Sequence, residues 1–220
     1  MAKFGIIVPV YKHWHLLDKC IYSLLSQPNE LCNIYIISDE VSGFNKWDKR
    51  ESAYSYMLRN PRVKLYEDFQ HKGKAKRLNE SFDYVTDEYW GCFDADDIMS
   101  PNALKRIQYL KESWCYGDMR TDKTYYAGVF DRERLKKGNF IPQGSVFVKT
   151  EIIKKIRFNE KLTMSEDWEM WLQLAKEFEP RYINQVQYTY NTESSVMGSN
   201  KGGLSLARFL KKLNNRRKFR

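Results

Sequence analysis

Three carboxylates stand within four residues at Asp94-Ala95-Asp96-Asp97, directly after the apolar and aromatic run Tyr89-Trp90-Gly91-Cys92-Phe93. The run reads as a buried strand, and Ser100-Pro101 after it opens a helical pattern. Acids this close repel one another, and burial makes the repulsion worse, so the cluster needs a cation or a set of donors. The chemistry this predicts is a divalent metal site holding a phosphorylated ligand; an acidic turn capping the helix at Pro101 is the plainer alternative. The basic stretch His71-Lys72-Gly73-Lys74-Ala75-Lys76-Arg77 enters a helix one element earlier, and a helix start flanked by Lys and Arg suits a phosphate. A second acidic pair, Glu166-Asp167, opens a later helix, where acids also complement the helix dipole.

The elements that must position these groups follow from periodicity. Phe4 to Val10 is a continuous apolar run, the pattern of a strand covered on both faces. Leu16, Leu17, Cys20, Ile21, Leu24 and Leu25 recur at helical spacing before Pro28, and Ile34 to Ile37 is a second strand running into Asp39. A helix over Trp47 to Leu58, a strand at Val63 to Tyr66 and a helix with Ala75, Leu78, Phe82 and Val85 inward repeat the unit. The spacing then predicts a helix over Pro101 to Ser113, a strand over Thr124 to Phe130, an exposed loop over Asp131 to Lys137 and a helix capped by Thr150. Ser165 opens a helix with Trp168, Trp171, Leu172, Ala175 and Phe178 inward, and Tyr182 to Tyr190 alternates as a strand. Alternating strands and helices predict an α/β fold with ligands at the carboxyl ends of its strands, where Asp39, the Lys72 to Arg77 loop and the acids after Asp94 all fall.

At 220 residues the chain is read as one domain over residues 1–200, followed by a basic extension over 201–220. That extension holds eight Lys and Arg and no acid, so of the net charge of +9 only +1 belongs to the rest. The body is therefore no nucleic-acid footprint, whereas the extension, with Leu204, Phe209 and Leu213 among its bases, suits an amphipathic helix. Such a helix could lie on an anionic membrane, meet nucleic acid, or pack on the domain with a solvated basic face. No apolar run reaches the roughly 18 to 20 residues of a membrane span, so a cytoplasmic protein is expected, with peripheral membrane contact through the extension. The four cysteines form no CxxC pair and are expected to be reduced and buried; three histidines, His13, His15 and His71, cannot build a zinc site.

Taken in order, Ile7-Val8-Pro9-Val10-Tyr11, Ile21-Tyr22-Ser23-Leu24-Leu25-Ser26-Gln27, Gly73 to Asn79, Phe93-Asp94-Ala95-Asp96-Asp97 and Glu166-Asp167-Trp168 resemble the family-2 glycosyltransferases. The resemblance implies the GT-A fold, an α/β fold with a mostly parallel central sheet flanked by helices, in which residues 1–97 would form the nucleotide-sugar-binding half and 98–200 the acceptor-binding half. It implies a nucleotide-diphosphate sugar donor, a UDP-sugar first, and Mn²⁺ or Mg²⁺ on Asp96 and Asp94, with Asp94 toward the ribose. Pro9, Val10 and Tyr11 would line the base, Asp39 would accept from base or ribose, Lys72, Gly73 and Arg77 would border the phosphates, and Ala95 would belong to the same donor site. Asp167 would be the general base of an inverting displacement, with Glu166, Trp168 and Gly144 toward the acceptor. The acceptor hydroxyl would belong to a glycan or lipid-linked sugar, or to a hydroxylated base in DNA. The absence of the processive QxxRW signature implies one sugar per encounter. The competing reading is a non-catalytic nucleotide or nucleic-acid binding module on the same fold.

Overall fold

The computed structural model describes residues 1–39, 59–68, 70–121 and 124–191. The expected helix over Trp47 to Leu58 and the basic extension over 201–220 lie outside the described residues.

Nine strands form one sheet among the described residues. They are β1 (Phe4–Val10), β2 (Cys32–Ser38), β3 (Val63–Tyr66), β4 (Tyr89–Cys92), β5 (Ile98–Met99), β6 (Trp114–Arg120), β7 (Thr124–Tyr125), β8 (Phe147–Lys149) and β9 (Arg181–Thr189). Their order is β3-β2-β1-β4-β8-β6-β9-β5, with β7 on β6. The first four pair in parallel, so the carboxyl ends of β1, β2 and β4 lie along one edge. The second half is mixed: β8 is antiparallel to both β4 and β6, whereas β6 and β9 are parallel.

Alternate residues of the parallel strands feed two cores, as the pleat requires. Phe4, Ile6, Val8 and Val10 pack with the helix α1 (Leu17–Leu25) on one face. Ile7, Tyr35 and Ile37 face the other, beneath α2 (Lys74–Glu80) and α6 (Glu166–Glu177). Covering on both faces is why these strands read as unbroken apolar runs. Arg62 ties the layers: its Nη2 donates to Leu25 O at 2.7 Å and its Nη1 to Gln27 O at 3.2 Å, satisfying carbonyls at the end of α1.

Several expectations for the second half need correction. The helix over Pro101 to Ser113 is only α3 (Ala103–Arg106) between turns, although Leu104, Ile107 and Leu110 are buried as expected. The chain must instead reach β6, a strand the periodicity did not show. Of the strand expected over Thr124 to Phe130 only Thr124–Tyr125 pairs. Asp131 to Lys137 is not a loop: Asp131 accepts from Arg134 N at 2.9 Å and caps α4 (Arg132–Lys137), whose Leu135 is buried. Thr150 does not cap; it is the first residue of α5 (Thr150–Ile156), with its N–H on Glu88 O at 2.9 Å. Along α6 the fully buried face is Met170, Trp171, Leu174 and Ala175, against which Trp168, Leu172 and Phe178 are half-buried. The four cysteines are free and buried as expected.

Candidate active site

The parallel edge delivers the groups that the sequence singled out. Tyr11 follows β1, Asp39 follows β2, and Asp94 follows β4 by two residues. Pro9 is half-buried and Val10 buried, and the Val10 carbonyl accepts from Asp39 N at 2.9 Å, clamping the two strand ends. Tyr11 is 39% exposed and stacks on His71 with ring centroids 4.2 Å apart, while Lys12 Nζ lies 4.7 Å from its centroid.

Asp39 is buried and organises the loop opposite it. Oδ1 accepts from Lys72 N at 2.7 Å and Arg77 Nε at 2.9 Å; Oδ2 accepts from Gly73 N at 3.0 Å and lies 2.8 Å from His71 Nδ1. Four contacts occupy the roughly four lone-pair positions of a carboxylate. His71, whose side chain is 55% exposed, is the member of this set that can swing away without moving backbone. Gly73 adopts φ 86° and ψ 154°, which a side chain would strain, and this turn aims two consecutive N–H groups at Asp39.

Two cations expected at phosphates are turned elsewhere. Arg77 is 2% exposed, and its Nη1 pairs with Asp68 and Glu80 at 2.7 Å each while Nη2 donates to Gln70 O. Lys72 Nζ pairs with Glu80 at 2.9 Å and with Asp68. Glu80, one helical turn beyond Arg77, is the competing anion.

The acidic cluster is relieved residue by residue. Asp94 Oδ1 receives Lys74 Nζ at 2.6 Å, and the same ammonium donates to Gln143 Oε1 at 2.9 Å. Burial pulls the Lys74 pKa down, but the charges of Asp94 and Glu166 and the hydrogen bond to Asp94 outweigh it and hold it well above the ordinary value. Asp97, 2% exposed, accepts from Asn191 N at 3.0 Å; burial, then the charges of Asp94 and Asp96, push its pKa up to about 8. Asp97 is thus largely protonated at neutral pH, which removes one of the three repelling charges. Ala95 is buried, and Asp96 is half-buried between these neighbours.

Among the described residues no three His, Cys, Asp or Glu side chains converge to cage a metal. Asp96 with Asp94 is still a fitting pair for Mg²⁺ or Mn²⁺, which take one or two carboxylates and complete their shell with water and phosphate oxygens.

The second half reaches this edge through β8. Because β8 runs antiparallel to β4, with Phe147 opposite Gly91, the residues just before it lie beside Cys92 to Asp94. That is how Gln143, in a 3-10 turn over Gln143–Ser145, meets Lys74. Gly144 does not face open space; it is buried against the Tyr188 ring, 2.9 Å from where a Cβ would stand. Gln143 is a site-lining group that the sequence reading did not single out, and Lys74 stood there only as one member of the basic stretch, with no role of its own.

Glu166 and Asp167 begin α6 behind Ser165, which is held at φ 63°. Among the described residues the other non-glycine positions with positive φ are Lys12, Asn102 and Arg157. Such strain persists only where surrounding contacts over-determine it, and it gathers at functional sites. Glu166 is buried; Asp167 is half-buried, with Oδ2 accepting from Asn139 Nδ2 at 2.8 Å. Burial, then the charge of Glu166, raises the Asp167 pKa to about 6, against the pull of the Trp168 N–H, Lys74 and Asn139. Trp168 is not a free platform: its Nε1 donates to Leu135 O at 2.7 Å and pins α6 to α4.

With this geometry in place, comparison with known proteins is decisive for kinship. The sequence profile described as glycosyl transferase family 2 matches residues 5–157. The chain belongs to that family. An uncharacterized glycosyltransferase of Methanocaldococcus jannaschii is 22% identical over 193 residues, which cover 79% of this chain and 65% of that protein. S. aureus TarS 1–349 in complex with UDP-GlcNAc has a similar structure, with TM-score 0.67 at 18% identity over 90% of this family-2 chain and 61% of its own. The mannosyltransferase PcManGT from Pyrobaculum calidifontis, in complex with GDP-Man and Mn²⁺, gives 0.64 at 15% identity over 86% and 56%. These likenesses show the GT-A fold. The family-2 chain spans from about a fifth to just under two thirds of the length of the first curated relatives it matches. No helix among the described residues is long and apolar enough to cross a membrane.

Proposed function

We propose that this family-2 chain transfers one sugar from a nucleotide-diphosphate sugar, a UDP-sugar first, to an acceptor hydroxyl in a single inverting displacement. The observation that carries the reading is the meeting of two acidic sets around Lys74: Asp94 and Asp96 at the end of β4, and the half-buried Asp167, with its pKa raised to about 6, at the start of α6. Solved structures of the same fold with UDP-GlcNAc, and with GDP-Man and Mn²⁺, support a donor and a cation of this kind.

The exposed Tyr11 receives the base, and Asp39 holds the loop that borders it, meeting the base itself where His71 swings out. Asp94 and Asp96 hold a divalent cation, which when bound supplies positive charge against the departing diphosphate. Asp167 takes the proton of the acceptor hydroxyl. Asn139 fixes one of its oxygens, and a pKa near 6 makes it a far better base at neutral pH than a free Asp of about 3.9. Glu166 supports that shift by charge, and Trp168 by anchoring the helix that carries both acids. A glycan or lipid-linked sugar is the acceptor class, with a hydroxylated DNA base the other arm of a screen.

The test is calorimetry with UDP-sugars with and without Mn²⁺, followed by release of UDP on adding acceptors. Metal-dependent binding and turnover are expected, both lost in Asp96→Ala, whereas Asp167→Asn loses turnover and keeps the binding. Undiminished turnover in both variants overturns the assignment, and metal-independent binding without turnover favours a binding module.

A further inference from the structure

Of the basic side chains between residues 72 and 77, Lys74 enters the centre of the proposed site. Lys72 and Arg77 are compensated by Asp68 and Glu80, and Lys76 is exposed. Lys74 Nζ instead bridges Asp94 Oδ1 at 2.6 Å and Gln143 Oε1 at 2.9 Å, joining the parallel half to the turn before β8. Its side chain is 31% exposed and that of Asp94 36%, so the pair remains open to solvent. An ion pair of that exposure adds about 0 to 1 kcal/mol to stability, too little to explain an ammonium here. Gln143 offers a second observation: its Nε2 is buried and has no acceptor, so a donor beside Lys74 is left for an incoming oxygen.

A nucleoside diphosphate would bring two or more negative charges to an edge that already holds Asp94, Asp96, Glu166 and Asp167. We propose that Lys74 is a donor-binding residue: it neutralises Asp94 in the free chain and passes its ammonium to the diphosphate when the donor arrives, with Gln143 as the pivot. The inference rests on the nucleotide-sugar reading above. While the ammonium sits on Asp94 it competes with a divalent cation for that carboxylate, so removing it should act in opposite directions on metal and nucleotide.

The experiment is calorimetry on the full chain and its Lys74→Met and Lys74→Arg variants, with Mn²⁺ alone, with UDP and GDP, and with uridine and guanosine. Lys74→Met is expected to bind the diphosphate ~ten- to a hundredfold more weakly, the range of one charge-assisted hydrogen bond, with nucleoside affinity unchanged. Mn²⁺ alone should bind it several-fold more tightly, about what one removed positive charge contributes near a carboxylate. Lys74→Arg should recover most of the diphosphate affinity. Parallel losses for nucleoside, diphosphate and metal, or no change in any, would overturn the proposal. Gln143→Ala, expected to weaken diphosphate binding alone, keeps the test sharp if Lys74→Met does not fold. A wild-type chain that binds neither diphosphate defeats the nucleotide-sugar reading together with this one, whereas equal diphosphate affinity in wild type and Lys74→Met defeats this one alone.

Discussion

The most direct consequence of the geometry at α6 is a pH profile. Asp167 must be ionised to accept a proton, and burial with the Glu166 charge places its pKa at about 6. The sign follows: activity is fully present above that value and is lost as pH falls through it. The base is ~90% ionised at pH 7 and ~10% at pH 5, and below pH 6 kcat/KM should fall about tenfold per unit. The profile of kcat/KM reports the base in the enzyme before donor and acceptor bind. An ordinary aspartate would put this limb about two units lower, near 3.9. Glu166→Gln removes the neighbouring negative charge while keeping the shape of the side chain, so the limb should move down by on the order of one unit. The assay is initial-rate release of UDP from pH 4.5 to 8.5 at saturating Mn²⁺, with Asp167→Asn as control, expected to lose ~10²–10⁴ in rate. A flat profile between pH 5 and 8, a limb that ignores Glu166→Gln, or an Asp167→Asn enzyme keeping more than about a tenth of the wild-type rate would refute the reasoning.

Three further outcomes can be measured. Arg77→Met leaves Asp39, Asp68 and Glu80 without their shared guanidinium; the loss should approach ~3 kcal/mol in urea unfolding, the low end for a broken buried pair because backbone N–H groups still reach Asp39. Gly73→Ala meets no atom within 4 Å at its Cβ, so its cost is backbone strain alone, ~1–3 kcal/mol, with a matching fall in nucleotide affinity as the loop shifts from Asp39. Tyr11→Ala should weaken uridine and UDP equally, by the ~1–3 kcal/mol of one stacked base, and a loss confined to UDP would contradict its place at the base.

The parallel half was legible because β1, β2 and β4 are largely apolar runs buried on both faces, and because parallel strands deliver their following residues to one edge. The second half resisted for identifiable reasons. In β6, Gly117 and Asp118 look like strand breakers, yet a Cβ at Gly117 would stand 2.5 Å from the Gln187 side chain, and Asp118 is buried accepting from Ala127 N at 2.9 Å and the Tyr182 hydroxyl at 2.8 Å. Both residues serve the bulged pairing with β9, which local pattern cannot reveal. The helix at Arg132 was within reach, since Asp131 three residues before Arg134, with Glu133 early and lysines late, is a capping and dipole pattern. The fates of Lys72, Lys74, Lys76 and Arg77 were not, because four neighbouring cations are equivalent until the fold sets Asp68, Glu80 and Asp94 around them.

The antiparallel β8 explains why the proposed chemistry needs the second half at all. A parallel neighbour of β4 would have brought its own carboxyl end to Asp94 and carried the preceding turn to the opposite edge of the sheet. With β8 reversed, the turn holding Gln143 arrives beside Asp94, and α5 leads the chain back so that Glu166 and Asp167 open α6 within the electrostatic reach of Lys74. Asp94 and the Glu166–Asp167 pair thereby share one cation, Lys74. An ammonium that leaves Asp94 for a diphosphate would also alter its pull on Asp167, so filling the donor site and tuning the base are expected to be coupled. The acid limb of kcat, which reports the bound state, should therefore differ from that of kcat/KM in wild type, and the difference should shrink in Lys74→Met.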